Sequence, residues 1–126
     1  MSRSILVVED QEDLRAILRD FLSASGYTVI EAVDGAESVA KAASERPDLV
    51  LMDIQLPLLE DYDATRQIKA LPGLAAIPII AVSSFAMKGD EEKARASGCD
   101  DYVTKPYSPV DLLRVVRRYL GETAHR

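Results

Sequence analysis

The residues best suited to chemistry in this chain are acids that follow apolar runs. In "DLVLMDIQLP", Asp53 comes directly after Leu49, Val50, Leu51 and Met52, and in "ILVVED" Glu9 and Asp10 close a similar run. A carboxylate beside a buried strand is costly unless a partner charge, a metal or a shifted pKa compensates it. Two further runs carry polar residues at the same end: Ser83 and Ser84 after "IIAV", and Thr104 and Lys105 after "DYV". Three carboxylates, hydroxyls and an amine form an oxygen-rich set that suits a hard cation such as Mg2+. The negative charges of Glu9, Asp10 and Asp53 would be balanced by that ion and Lys105 together. A neutralised aspartate is a competent nucleophile toward phosphorus, and cations stabilise the oxygens of a phosphoryl group in transfer. Ser83 can donate a hydrogen bond to one of those oxygens.

Such a set works only if the chain brings it together, and the patterning predicts how. Short apolar runs alternate with amphipathic stretches. Strands are predicted at 4–8, 27–32, 48–53, 77–84 and 101–103. Helices are predicted at 11–25, 36–45, 62–70, 89–97 and 109–120. The first helix carries Leu14, Ile17, Leu18, Phe21 and Leu22 at helical spacing, and the second turns Val39, Ala40 and Ala43 inward. Strands alternating with helices predict parallel pairing with right-handed crossovers. Runs such as "LVLM" suit strands covered on both faces. The expected object is an α/β fold: a single doubly wound, five-stranded parallel sheet with five helices, flavodoxin-like, over residues 1–126. In such sheets ligands bind beyond the carboxyl ends of the strands, where the polar residues fall.

Composition narrows the function classes. The chain has 126 residues and a net charge of −6, with no basic cluster dense enough to suggest nucleic acid. Arg114, Arg117 and Arg118 gather toward a helix C-terminus, where they read as a solvated face. The one cysteine, Cys99, excludes an intrachain disulfide and reads as a small buried hydrophobe. It implies a reducing compartment such as the cytoplasm. No apolar run has the length of a membrane span.

Taken together, "ILVVED", "LMDIQLP", Ser83 after "IIAV" and "DYVTKP" resemble the receiver domains of bacterial two-component response regulators, of the stand-alone kind used in chemotaxis. The likeness runs over essentially the whole chain. It implies a phosphorylation-dependent signalling protein rather than an enzyme with a separate substrate, one that catalyses its own phosphorylation and dephosphorylation. Asp53 is then the phosphoacceptor. Glu9, Asp10, Asp53 and the main-chain carbonyl of Gln55 hold Mg2+, and Lys105 contacts the phosphoryl group. Ser83 and Tyr102 are the switch pair, and Lys105-Pro106 is a candidate cis peptide. Gln55 and Phe85 stand at positions that tune phosphoryl lifetime in the family. The implied partners are a sensor histidine kinase or histidine phosphotransfer protein and a downstream protein target, with no nucleic acid and no membrane. Docking is expected at the first helix (Leu14, Arg15, Ile17, Leu18) and the turn after Pro106. No output domain is expected in this chain.

One position departs from the family pattern. Asp61 stands eight residues after the acceptor, where glycine is usual. Either it adopts the left-handed turn that glycine permits, or it caps a helix starting near Tyr62. Other functions fit less well. Hydrolases of the haloacid-dehalogenase type carry a second acid two residues after the nucleophile, where this chain has Gln55. A flavodoxin-like cofactor binder needs a phosphate cradle after the first strand, and "EDQED" repels phosphate. A degenerate receiver acting only as a binding module would not keep the full acid set and Lys105.

Overall fold

A computed structural model describes residues 3–54, 59–83, 90–104 and 108–121; at 53, 54, 59–62, 83, 90, 91 and 93 the description is of the backbone. Five strands, β1 (Ser4–Val8), β2 (Thr28–Ala32), β3 (Leu49–Ile54), β4 (Ile79–Ser83) and β5 (Asp101–Thr104), form one sheet in the order β2-β1-β3-β4-β5. Every pairing is parallel. Five helices alternate with them: α1 (Glu12–Ala24), α2 (Gly35–Glu45), α3 (Leu59–Lys69), α4 (Asp90–Ala96) and α5 (Pro109–Leu120). This is the doubly wound, flavodoxin-like arrangement that the alternation predicts.

Strand side chains alternate between two faces, and each face meets its own helices. Leu6, Val8, Val50, Met52, Ile79 and Ala81 pack with Ala42, Ala64, Ile68 and Ala94 of α2, α3 and α4. Ile5, Val7, Leu49, Leu51, Ile80 and Val82 pack with Leu18 and Leu22 of α1 and with Leu112, Leu113 and Val116 of α5. Burial on both faces is why these strands read as unbroken apolar runs.

The helix ends have local causes. Asp34 caps α2 by accepting from the Glu37 amide at 2.8 Å, and Glu37 reaches back to the Val33 amide at 2.7 Å. Ser108 caps α5 by accepting from the Asp111 amide at 3.1 Å, with Pro109 at the first helical position. Arg46 ends α2 in the left-handed region (φ 50°) and donates to the Pro72 carbonyl, joining α2 to the turn before β4.

At the amino ends of the strands, carboxylates close open backbone donors. Asp48 accepts from the Ser4 amide at 2.7 Å, and Asp100 accepts from the Ile79 amide at 2.9 Å and from Lys69 at 2.8 Å. These acids are therefore structural.

Several expectations need correction. Asp61 is no N-cap: α3 begins at Leu59, so Asp61 sits in its first turn with helical backbone, not in a left-handed turn. The inner face of α2 is Ser38 and Ala42 with Val39 alongside, while Ala40 and Ala43 are exposed. Leu18, expected with Leu14 and Ile17 in a docking surface, belongs to the core, whereas Leu14 and Ile17 are 36% and 55% exposed.

Candidate functional site

The polar residues converge at the carboxyl edge of the sheet because the strands run parallel and in register. The β1–β3 ladder pairs Val8 with Met52, so one step further stand Glu9 and Asp53. On the other side of β3, Asp53 pairs with Val82 and Ile54 with Ser83. Ser83 in turn pairs with Thr104, the last residue of β5 before Lys105. Glu9, Asp10 and the backbones of Asp53, Ser83 and Thr104 thus lie along one rim. Neighbouring strands are about 4.8 Å apart, a spacing that lets groups on adjacent strands share a ligand. The Asp53 and Ser83 side chains, and all of Gln55, Phe85, Lys105 and Pro106, lie outside the described residues.

Glu9 is the anchor of the described part. It is only 2% exposed, yet it is an acid. Its amide donates to the Ala32 carbonyl at 3.0 Å, which prolongs the β1–β2 ladder by one step. Its Oε2 accepts from the Gln11 amide at 2.9 Å, and its carbonyl accepts from the Arg15 guanidinium at 2.9 Å. Asp10 beside it is exposed. A buried carboxylate next to an open one, with no histidine or thiol among the described residues of the rim, is a donor set that fits a hard cation. Among the described residues no group of three histidines, cysteines or acids forms a metal cluster, and the side chain of Asp53, the expected third acid, lies outside them.

Arg15 and Glu31 are residues whose part in this rim the sequence reading missed. Glu31 pairs with Val7 across the β1–β2 ladder and accepts from Arg15 Nε at 3.0 Å, with Arg19 at 3.5 Å. An acid inside a strand pattern with two arginines on the helix before it was the available signal.

Tyr102 lies on β5, half-buried against the α2–α4 side of the core. Below it, Asp101 gathers the Arg118 guanidinium at 3.0 Å and the Tyr119 hydroxyl at 3.1 Å, joining β5 to α5. Arg118 is thus engaged, and Arg114 pairs with Asp111 on its own helix at 3.4 Å. Cys99 is buried between Thr65 and Ser97, each 3.9 Å from its sulfur, away from the rim. Burial pushes its thiol pKa upward. No helix among the described residues is long and apolar enough to cross a membrane.

Comparison with known proteins agrees with this fold. A profile described as the response regulator receiver domain matches residues 5–117. The polar-differentiation response regulator DivK of Brucella anthropi is 43% identical over 122 residues, covering 97% of this chain and 99% of its own length. The receiver domain of the sensor histidine kinase PA1611 of Pseudomonas aeruginosa, solved with a magnesium ion coordinated in the active site cleft, superposes with a TM-score of 0.85 at 36% identity. That alignment covers 97% of this chain and all of the other. The chemotaxis protein CheY4 of Vibrio cholerae shares the fold, with a TM-score of 0.87 at 24% identity over 94% of this chain and 99% of its own.

Proposed function

The chain belongs to the response regulator receiver domain family, whose members act in phosphorylation-dependent signalling, and on that premise we propose that it receives a phosphoryl group from a phosphohistidine onto Asp53. The observation that carries this reading is the strand register, which sets Asp53 on the central strand between the acid pair of β1 and the hydroxyl end of β4.

In this reading an Asp53 carboxylate oxygen attacks phosphorus. The P–N bond to the donor imidazole breaks, a P–O bond forms, and the imidazole nitrogen takes up a proton. Glu9, Asp10, Asp53 and the Gln55 carbonyl would hold Mg2+, which would supply charge neutralisation at the phosphoryl oxygens. Lys105 offsets the remaining negative charge, and Ser83 donates to a phosphoryl oxygen. Water then returns Asp53 to its carboxylate and releases inorganic phosphate, so the domain catalyses both steps on itself.

Phosphorylation changes a single negative charge into about −1.5 to −2 with strong acceptor oxygens. Ser83 and Lys105 gain contacts with them only by moving, and Tyr102 fills the space that Ser83 leaves. The surface of α4, β5 and α5 shifts accordingly, and a downstream protein reads it. The donor, a histidine kinase or histidine phosphotransfer protein, docks over the exposed Leu14 and Ile17 of α1. Leu18 belongs to the core instead.

The test is incubation with Mg2+ and acetyl phosphate followed by intact mass. A phosphate-sized gain is expected in the wild type and its loss in Asp53→Asn. An equal gain in Asp53→Asn would overturn the assignment.

A further inference from the structure

The guanidinium of Arg15 makes two bonds in two directions. Its Nη1 donates to the Glu9 main-chain carbonyl at 2.9 Å, and its Nε donates to Glu31 Oε1 at 3.0 Å. The side chain is 16% exposed and Glu31 is 33% exposed, so the pair is partly shielded from water. Arg15 sits on α1, Glu9 follows β1, and Glu31 lies in β2. One side chain therefore ties the first helix to the strand end that carries the acid pair, and it takes its own bearing from the neighbouring strand.

This matters for Glu9 because the residue stands at the end of the ladder. Its amide still follows the β1–β2 ladder, but its carbonyl lies past the last ladder pair, Val8 with Ala32. There Arg15 donates to it from the neighbouring helix. With the amide held by Ala32, the carbonyl by Arg15 and Oε2 by the Gln11 amide, the peptide and carboxylate of Glu9 are fixed together. A fork-shaped donor can satisfy two acceptors at once in a fixed plane, and a lysine ammonium cannot do so with the same geometry. The arrangement also has an electrostatic side. A bare guanidinium beside a cation site would repel the ion, and Glu31 cancels that charge at contact distance.

We propose that Arg15, oriented by Glu31, is a positioning residue that sets the affinity of the acidic rim for its divalent cation by fixing Glu9. The proposal rests on the reading of that rim as a Mg2+ site. Groups that orient metal-binding side chains change affinity by about 10- to 100-fold when removed. Mg2+ keeps several waters and takes few protein ligands, which places the effect at the lower end.

The experiment titrates Mg2+ alone into the full chain and follows the amide resonances of residues 5–10 and 49–53, with the melting temperature of each variant taken without metal. Arg15→Met keeps the aliphatic stem and should raise the Mg2+ Kd by about tenfold, with native chemical-shift dispersion retained. Arg15→Lys should recover part of the loss. Glu31→Gln should also weaken binding, because it frees the guanidinium and leaves its charge uncancelled. In Arg15→Met/Glu31→Gln the Kd should match that of Arg15→Met alone, since Glu31 acts through Arg15. A wild-type Kd in Arg15→Met, or a Glu31→Gln loss that persists undiminished on the Arg15→Met background, overturns the proposal and leaves the cation site standing. Should Arg15→Met not fold, Glu31→Gln and Arg15→Lys decide, and wild-type affinity in both overturns it. A wild-type chain that binds no Mg2+ overturns this inference and the cation-site reading together.

Discussion

Acids of the same type serve opposite purposes in this chain, and residue position decides which. Asp48 and Asp100 stand at the amino ends of strands, where open N–H groups require acceptors, and they are consumed there. Glu9 and Asp10 stand at the carboxyl end, where the open groups are carbonyls, so a cluster of acids calls for a cation instead. Cys99 illustrates a third case, a titratable group held away from both ends. Burial raises its pKa above the ordinary 9.0 while bonds to Thr65 and Ser97 partly offset that rise. A group whose pKa is raised on folding contributes stability that is intact below its unfolded value and is lost as pH climbs past it. The melting temperature of the wild type should therefore fall more steeply between pH 8.5 and 10 than that of Cys99→Ala, on the order of the shift expected from one thiol. Equal slopes in thermal melts across that range would show that the buried thiol carries no such linkage.

At the scale of elements, the strands were the most legible part. Each is a short apolar run bounded by polar or turn residues, and β1 and the start of α5 fall where patterning puts them. The helices were less legible for separate reasons. In α2 three alanines besides Ala42 surround Val39, so the hydrophobic contrast that would fix the inner face is weak, and the buried position went to Ser38, whose hydroxyl donates to the Gly35 carbonyl at 2.6 Å. In α3 the helix begins within "LLED", before any apolar spacing can register. The bracket formed by Arg15 was hidden because its two acceptors meet only after β1 and β2 pair. The cap at Asp34 and the return bond from Glu37 emerge only with the structure. Asp34→Ala should cost about 1 kcal/mol in urea denaturation, with Glu37→Ala less, because the lost Val33 amide partner is exposed to water. A change below a few tenths of a kcal/mol for Asp34→Ala would mean that α2 is held by packing alone.

At the scale of the whole molecule, the proposed cation site would make the folded state a better ligand for divalent cations than the unfolded chain. Mg2+ at ten times its Kd should add about 1.4 kcal/mol, which for a domain of this size raises the melting temperature by about 5 °C. The rise should be much reduced in Asp53→Asn, and calorimetry at matched ionic strength separates it from general salt effects. An equal rise in the variant would place the stabilising ion elsewhere.

The strand order has a temporal corollary. β1 is made first, yet the neighbour that brings Asp53 beside its acids is β3, with β2 and two helices synthesised in between. A growing chain that has emerged only as far as α2 owns Glu9, Asp10 and Arg15 but lacks Asp53, the proposed acceptor. On the proposed reading, phosphate capture cannot precede docking of the third strand, and a piece ending at α2 would carry the acids of β1 without the residue that takes the phosphoryl group.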